Sequence, residues 1–359
     1  MARLNPRLTA SIVALLLVVG VVTLRSVGDG QEDARRCLPA NREISREGSV
    51  SLPAATIGNL LVANQFSGTA SIIDLATGRV ETVRTGNGPH DAVISPDGRW
   101  GVVSNFSPEE GGRYMGNKLF VIDMARRRVS RTIETGEYRG LHDVAFRPGF
   151  PARVLVTAQT SRRLLEVDVA SGSIVGAVDT RGDRSHLVAV TSDGRIAFTT
   201  NEGTGTLSRL DLGTHSFVAS FPASIDVEGL VVTPDGRELW VGENVRGAVT
   251  VRDAGTGAVL TTLDGFRYPN RIAISPDGRR VVISDPGCRT IVVADAASRR
   301  VVNVMRVPET DAVSPNRSVT VRTIPGLSHA FAFEPGSSGT GADSLASWLA
   351  SWVAAVAAR

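Results

Sequence analysis

The stretch GPHDAVISPDGRW at residues 88–100 returns in altered form as GLHDVAFRPG at 140–149, RSHLVAVTSDGR at 184–195 and YPNRIAISPDGR at 268–279. A chain that rewrites one phrase folds as a series of like units, each burying its apolar face only against its neighbours. Every unit can be laid out as an A strand, a P-D-G-R type turn, a B strand ending in a polar residue, a C strand ending in Asp, and a turn leading to a D strand. The closing aspartates of the C strands, Asp74, Asp123, Asp168, Asp211, Asp253 and Asp295, are separated by 49, 45, 43, 42 and 42 residues. That spacing is the length of a four-stranded propeller blade.

A chain of 359 residues with 42% hydrophobic content allows one large all-β domain or two to three smaller ones, and the regular repeat favours one. Radial packing of blades into a ring also removes the long unpaired edges that an open sheet of this size would expose. The expected fold is therefore all-β, a single β-propeller over residues 58–336. Six blades are clearly written, and AVSPNRSVTVRTIPG at 312–326 reads as a degenerate seventh. The first unit starts at its B strand, NLLVAN (59–64), and HAFAFEPG (329–336) supplies a phrase of A-strand type. Pairing of the two would close the ring.

The turns use the residues that turns need: Pro fixes φ, Asp bonds its own downstream backbone and Gly accepts positive φ. The recurring C-strand Asp is accordingly read as a turn residue rather than as part of a metal or catalytic carboxylate array.

The ends differ in style from the repeats. Residues 1–27 carry Arg3 and Arg7 and an apolar run from Ile12 to Val22, the grammar of a signal peptide or signal anchor. The body is then expected in the periplasm or outside the cell, with a membrane attachment if the segment is not cleaved. Residues 28–57 read as a linker or arm. An oxidising compartment permits its Cys37 to pair with Cys288, two unpaired thiols being the alternative. Residues 337–359 read as a Gly/Ser linker followed by an amphipathic helix with Leu345, Trp348, Leu349, Trp352, Val353 and Val356 at helical spacing.

Counting back five places from each A-strand turn finds His90, His142, His186, Glu228, Asn270 and His329, so four of the chain's five histidines share one structural position. In a propeller this register lies near one mouth of the central channel. The B-strand ends, including Asn64, Asn105 and Asn201, open on the same face. The 106–118 insertion, FSPEEGGRYMGNK, is placed there too, where long loops commonly carry recognition. Two readings follow. Neutral imidazoles of His90, His142 and His186 converge, with Glu228, on a transition metal such as Zn or Cu. Alternatively, each histidine packs between blades and bonds its own neighbourhood.

No G-x-S-x-G, H-E-x-x-H, G-x-x-x-x-G-K or C-x-x-C motif is present. A net charge of +3 is too slight to imply a nucleic-acid partner. The phrases GPHDAVISPDGR, NLLVAN and SIIDLATG resemble the YVTN-type β-propeller repeat family over roughly residues 58–336. That resemblance implies a seven-bladed ring, in a group of propellers that includes binding and surface proteins, lactonase-like enzymes and quinoprotein amine dehydrogenase-like subunits. Together these features point to an exported, monomeric binding or interaction module. It would meet an envelope protein or small ligand at the channel-mouth face. A metal-binding or enzymatic propeller is the first alternative, and nucleic-acid binding the second.

Overall fold

The computed structural model describes residues 37–40, 42–43 and 58–306, apart from 66, 75–76, 78 and 276. These residues form strands and turns, and among them there is no helix long and apolar enough to cross a membrane. Six consecutive antiparallel sheets follow one another along the chain. The second to sixth have four strands of their own, and the first has three: Asn59–Asn64, Thr69–Asp74 and Val80–Arg84. The innermost strands of the other five are Pro89–Ile94, Leu141–Phe146, Ser185–Val190, Val227–Val232 and Arg271–Ile274. Each lies beside the next, and Asn59–Asn64 lies beside Pro89–Ile94. This is a propeller-like arrangement, six blades standing side by side around the inner strands.

The core lies between blades. Val93, Val102 and Val121 of the second sheet pack with Val144, Val154 and Val167 of the third. Corresponding clusters join first to second, third to fourth, fourth to fifth and fifth to sixth. The burial pattern explains this. Second and third strands such as Arg153–Ala158 and Arg163–Asp168 are buried throughout their middles, because neighbouring blades cover both faces. Outer strands such as Ser216–Pro222 alternate between exposed and half-buried residues, as an edge strand with one wet face does.

The turns are built as the sequence suggests. In four units the hydroxyl of Ser95, Thr191, Thr233 or Ser275 donates to the Asp two residues on, whose carboxylate accepts the N–H of Arg99, Arg195, Arg237 or Arg279. Gly98, Gly194, Gly236 and Gly278 take positive φ at these turns, a conformation disfavoured for residues with a Cβ. The six repeating aspartates are likewise turn residues. Each accepts a backbone N–H three residues on: Thr77, Arg126, Ser171, Thr214, Thr256 and Ser298.

Cys37 and Cys288 form a disulfide. Beside it, Leu38 N–H donates to Gly265 O at 2.9 Å, and Leu38 and Ala40 pack on the core shared by the fifth and sixth sheets. Arg42–Glu43 then pairs in parallel with the outer strand Arg300–Arg306. The arm thus fastens two blades along their outer side. Segment 1–27, most of the 28–57 arm, the degenerate unit at 312–326, His329 and the 337–359 helix lie outside the described residues.

Candidate functional site at the channel mouth

The histidine register falls on a backbone irregularity. Each of four inner strands carries a β-bulge at its start, between Pro89 and Ala92, Leu141 and Val144, Ser185 and Val188, and Val227 and Leu230. A bulge leaves extra residues unpaired and re-aims their side chains. The residues in these four bulges are His90–Asp91, His142–Asp143, His186–Leu187 and Glu228–Gly229. A second-strand hydroxyl holds each of the first three. Ser104, Thr157 and Thr200 accept the N–H of Asp91, Asp143 and Leu187 at 2.9–3.0 Å. Ser104 and Thr157 also donate to the carbonyls of His142 and His186 in the next blade, at 2.5 and 2.7 Å. One hydroxyl therefore fixes a bulge and ties it to its neighbour.

The re-aimed side chains meet. Ring centroids are 4.1 Å apart for His90 and His142 and 3.8 Å for His142 and His186, with the rings tilted by 46° and 38°, so three blades contribute a continuous row of imidazoles. Phe106, at the root of the insertion, touches His90 and His142 at 4.7 Å each and stacks on Tyr114 at 3.7 Å. Asp91 Oδ2 lies 3.2 Å from His90 Nδ1 and 3.6 Å from His142 Nδ1. On the other side, His186 Nδ1 is 3.0 Å from Glu202 and its Nε2 is 2.9 Å from Glu228. Glu228 also accepts from Arg271 Nη1 at 2.7 Å and Tyr268 OH at 3.2 Å. Glu202 accepts from Gln159 at 3.0 Å and faces Arg184 at 2.8 Å.

Burial makes the electrostatics of the two halves differ. Loss of solvent, reinforced by the charges of Arg271 and His186, pushes the His90 imidazole down to about 3, so it is neutral at pH 7 and has a lone pair to offer. Burial raises the Asp91 carboxyl to about 7, against the pull of Arg271 and His186. Burial also opposes charge on His186, but Glu202 and Glu228 together outweigh it and raise the imidazole above its ordinary value. Glu228 is held well below the carboxylate range, because His186 and Arg271 overcome the cost of its burial. Burial, with Glu228 adding, lifts Glu202 to about 7.

Two sets of side chains can hold a metal ion: His90, Asp91 and His142, and separately His186, Glu202 and Glu228, each with ligand atoms within 4.8 Å of one another. The trio His90, His142 and His186 expected from sequence is thereby divided. His186 has both ring nitrogens turned to carboxylates, and those carboxylates already have arginine partners. Asp91 takes its place beside the other two histidines.

The remaining expected residues have other roles. Asn64 Nδ2 donates to Thr69 and Ser71 at 2.9 Å each, and Asn201 Nδ2 to Thr206 at 3.1 Å and Ser208 at 2.8 Å, so both serve their own blade. Asn105 donates to the carbonyl of Asn87. Asn270 is buried in the register and its carbonyl accepts from Arg271 at 3.1 Å. The fifth histidine, His215, is on a turn remote from the register and bonds Glu166 at 2.8 Å. Sequence reasoning missed Asp91, Glu202, Tyr268 and Arg271. Asp91, Asp143 and Arg271 all stand one place after the register, and that shared offset was the available signal.

No protein-family model matches the chain, and no curated protein matches its sequence. Among solved structures it is similar to a functionally unknown protein from Desulfotomaculum acetoxidans DSM 771, with a TM-score of 0.58 and 15% identity over 80% of this chain and 89% of that one. It also aligns with hydrazine synthase of Kuenenia stuttgartiensis, with a TM-score of 0.46 and 13% identity over 67% of this chain and 93% of that one. The first likeness shows the fold alone, and the second is too slight to carry an argument.

Proposed function

We propose that this chain is an exported, YVTN-type propeller of the cell envelope whose channel mouth binds a divalent transition metal, zinc or copper, at His90, Asp91 and His142. The observation that carries this reading is the convergence of a half-buried and a buried histidine from adjacent blades, His90 and His142, on one buried carboxylate. Imidazole nitrogen favours Zn and Cu over Ca or Mg, and one carboxylate supplies the negative charge that offsets the cost of burying the ion. Neutral His90 needs no deprotonation, and a metal arriving at Asp91 would displace its proton. His186, held between Glu202 and Glu228 with its imidazole raised above its ordinary value, would flank the metal as a hydrogen-bonding group. Export is supported by the segment at 1–27 and by the Cys37–Cys288 bridge, a bond that persists in oxidising compartments.

A second reading makes the same face a docking surface for an envelope protein. It is favoured by the insertion, whose short hairpin Glu109–Glu110 and Arg113–Tyr114 stands beside the mouth with Tyr114 stacked on Phe106. Calorimetric titration of the full chain with Zn(II), Cu(II) and Mg(II) tests the metal reading. One equivalent of Zn(II) or Cu(II), no Mg(II), and loss of binding in a folded His142→Ala variant are expected. Absence of Zn(II) and Cu(II) binding would leave the docking surface as the better account.

A further inference from the structure

Behind the mouth, the five described inner strands line a cavity of about 350 Å³. We propose that it binds an amphiphilic monocarboxylate, with the head group on Arg271 and Ser284 and the apolar body along the channel. This site is separate from the metal at His90 and does not depend on it.

Three polar side chains line the cavity among the described residues: Asp143, Arg271 and Ser284. Asp143 is already engaged, accepting Val144 N–H and, from the next blade, Val188 N–H, both at 2.8 Å. Arg271 is different. Its Nη1 is spent on Glu228 and the Asn270 carbonyl, but its Nε meets no acceptor, although the residue is only 4% exposed. Ser284 stands directly opposite Arg271 in the strand pairing, is 3% exposed, and its Oγ likewise has no partner. Cross-strand partners place their Cβ atoms about 5 Å apart on the same face. Two buried donors without acceptors therefore sit side by side at the polar end of the cavity. Leaving such groups unsatisfied is destabilising, and a ligand supplying the oxygens relieves it. A carboxylate offers two oxygens to two donors, and guanidinium favours the charged acceptor over a neutral one.

The remaining wall is apolar, including Val93, Ala145, Val190, Val232, Ile272 and Ile274. Ala145, Val190 and Ile274 are only half-buried, so apolar surface stays uncovered there. Burying it under a hydrocarbon chain is favourable in proportion to the apolar area removed from water. The volume is at the small end of ligand sites, with room for on the order of ten heavy atoms at about 30 Å³ each. An eight-carbon acid has that size.

The test uses the full chain with octanoate as probe, octanol as its neutral counterpart and acetate as its head group alone, measured by calorimetry. Saturable octanoate binding is expected, with octanol and acetate each at least about tenfold weaker. Ser284→Ala should weaken octanoate severalfold. Ala145→Phe, which fills the channel and leaves Arg271 and Ser284 in place, should weaken it at least about tenfold while circular dichroism shows an intact fold. The proposal is overturned if no octanoate binds at millimolar concentration, if octanol binds as well as octanoate, or if Ala145→Phe binds octanoate normally. Metal binding measured in the same samples keeps this outcome distinct from that of the site at His90.

Discussion

Replacing Glu228 by Gln tests whether the mouth is held together as a buried charge network. Glu228 is 5% exposed and lies within 2.9 Å of both His186 Nε2 and Arg271 Nη1. The amide retains the shape of the side chain but leaves two buried cations without the carboxylate between them. Removing one partner of a buried pair costs about 3–5 kcal/mol. For a domain of this size each kcal/mol moves the melting temperature by about 2–4 °C, so the expected fall is roughly 6–20 °C. The sign depends on pH. Glu228 has a depressed folded-state pKa, so its contribution is present above its ordinary 4.5 and is lost as pH falls through the folded value. His186 has a raised one, so its contribution is complete below its ordinary 6.5 and is lost as pH rises through the folded value. The penalty of the substitution is therefore largest near pH 5–6, between those two ordinary values. Thermal melts of both proteins across pH 4–9, with an NMR titration of His186, measure it. A loss under about 1 kcal/mol near pH 5–6, the size of a surface pair, would show that Glu228 does not hold a buried charge network together. So would a His186 pKa that does not move.

Thr157→Val keeps the shape but removes the hydroxyl that accepts Asp143 N–H and donates to His186 O. Two buried backbone groups are left unsatisfied, and denaturant melts should show a loss of roughly 2–4 kcal/mol. Cys37→Ser releases an arm whose bridge spans 251 residues. It should cost about 2–5 kcal/mol, and reductant should have the same effect on the wild type and none on the variant. Metal affinity should weaken as pH falls below about 7, where the raised Asp91 carboxyl takes up its proton. In Asp91→Asn that pH dependence should disappear along with most of the affinity, measured by competition with a chromophoric chelator.

Much of the architecture was legible because repeats and turns are local. Asp97, Gly98 and Arg99 take the places their turn requires, and Asp74 or Asp211 caps a turn whatever the neighbouring blade does. The common position of the histidines was legible too. Whether they converge or each serve their own blade was left open, because alternation along a strand points side chains toward the next blade. The bulge that re-aims them leaves the apolar pattern of DVAF or LVAV unchanged. Arg271 and Asp91 were hidden for a related reason. Each looks like an ordinary strand-start charge until five blades bring the same offset to one axis. Glu202 follows the B-strand end Asn201, and only the fold brings it within 3.0 Å of His186.

In the proposed function, His90, Asp91 and His142 form one metal site. X-ray absorption at the metal edge of the zinc- or copper-loaded full chain tests it most directly. Two imidazole nitrogens and a carboxylate oxygen at about 2.0–2.2 Å are expected, with the imidazole scattering reduced in His142→Ala. A first shell of water oxygens alone, or a spectrum unchanged in that variant, would contradict it.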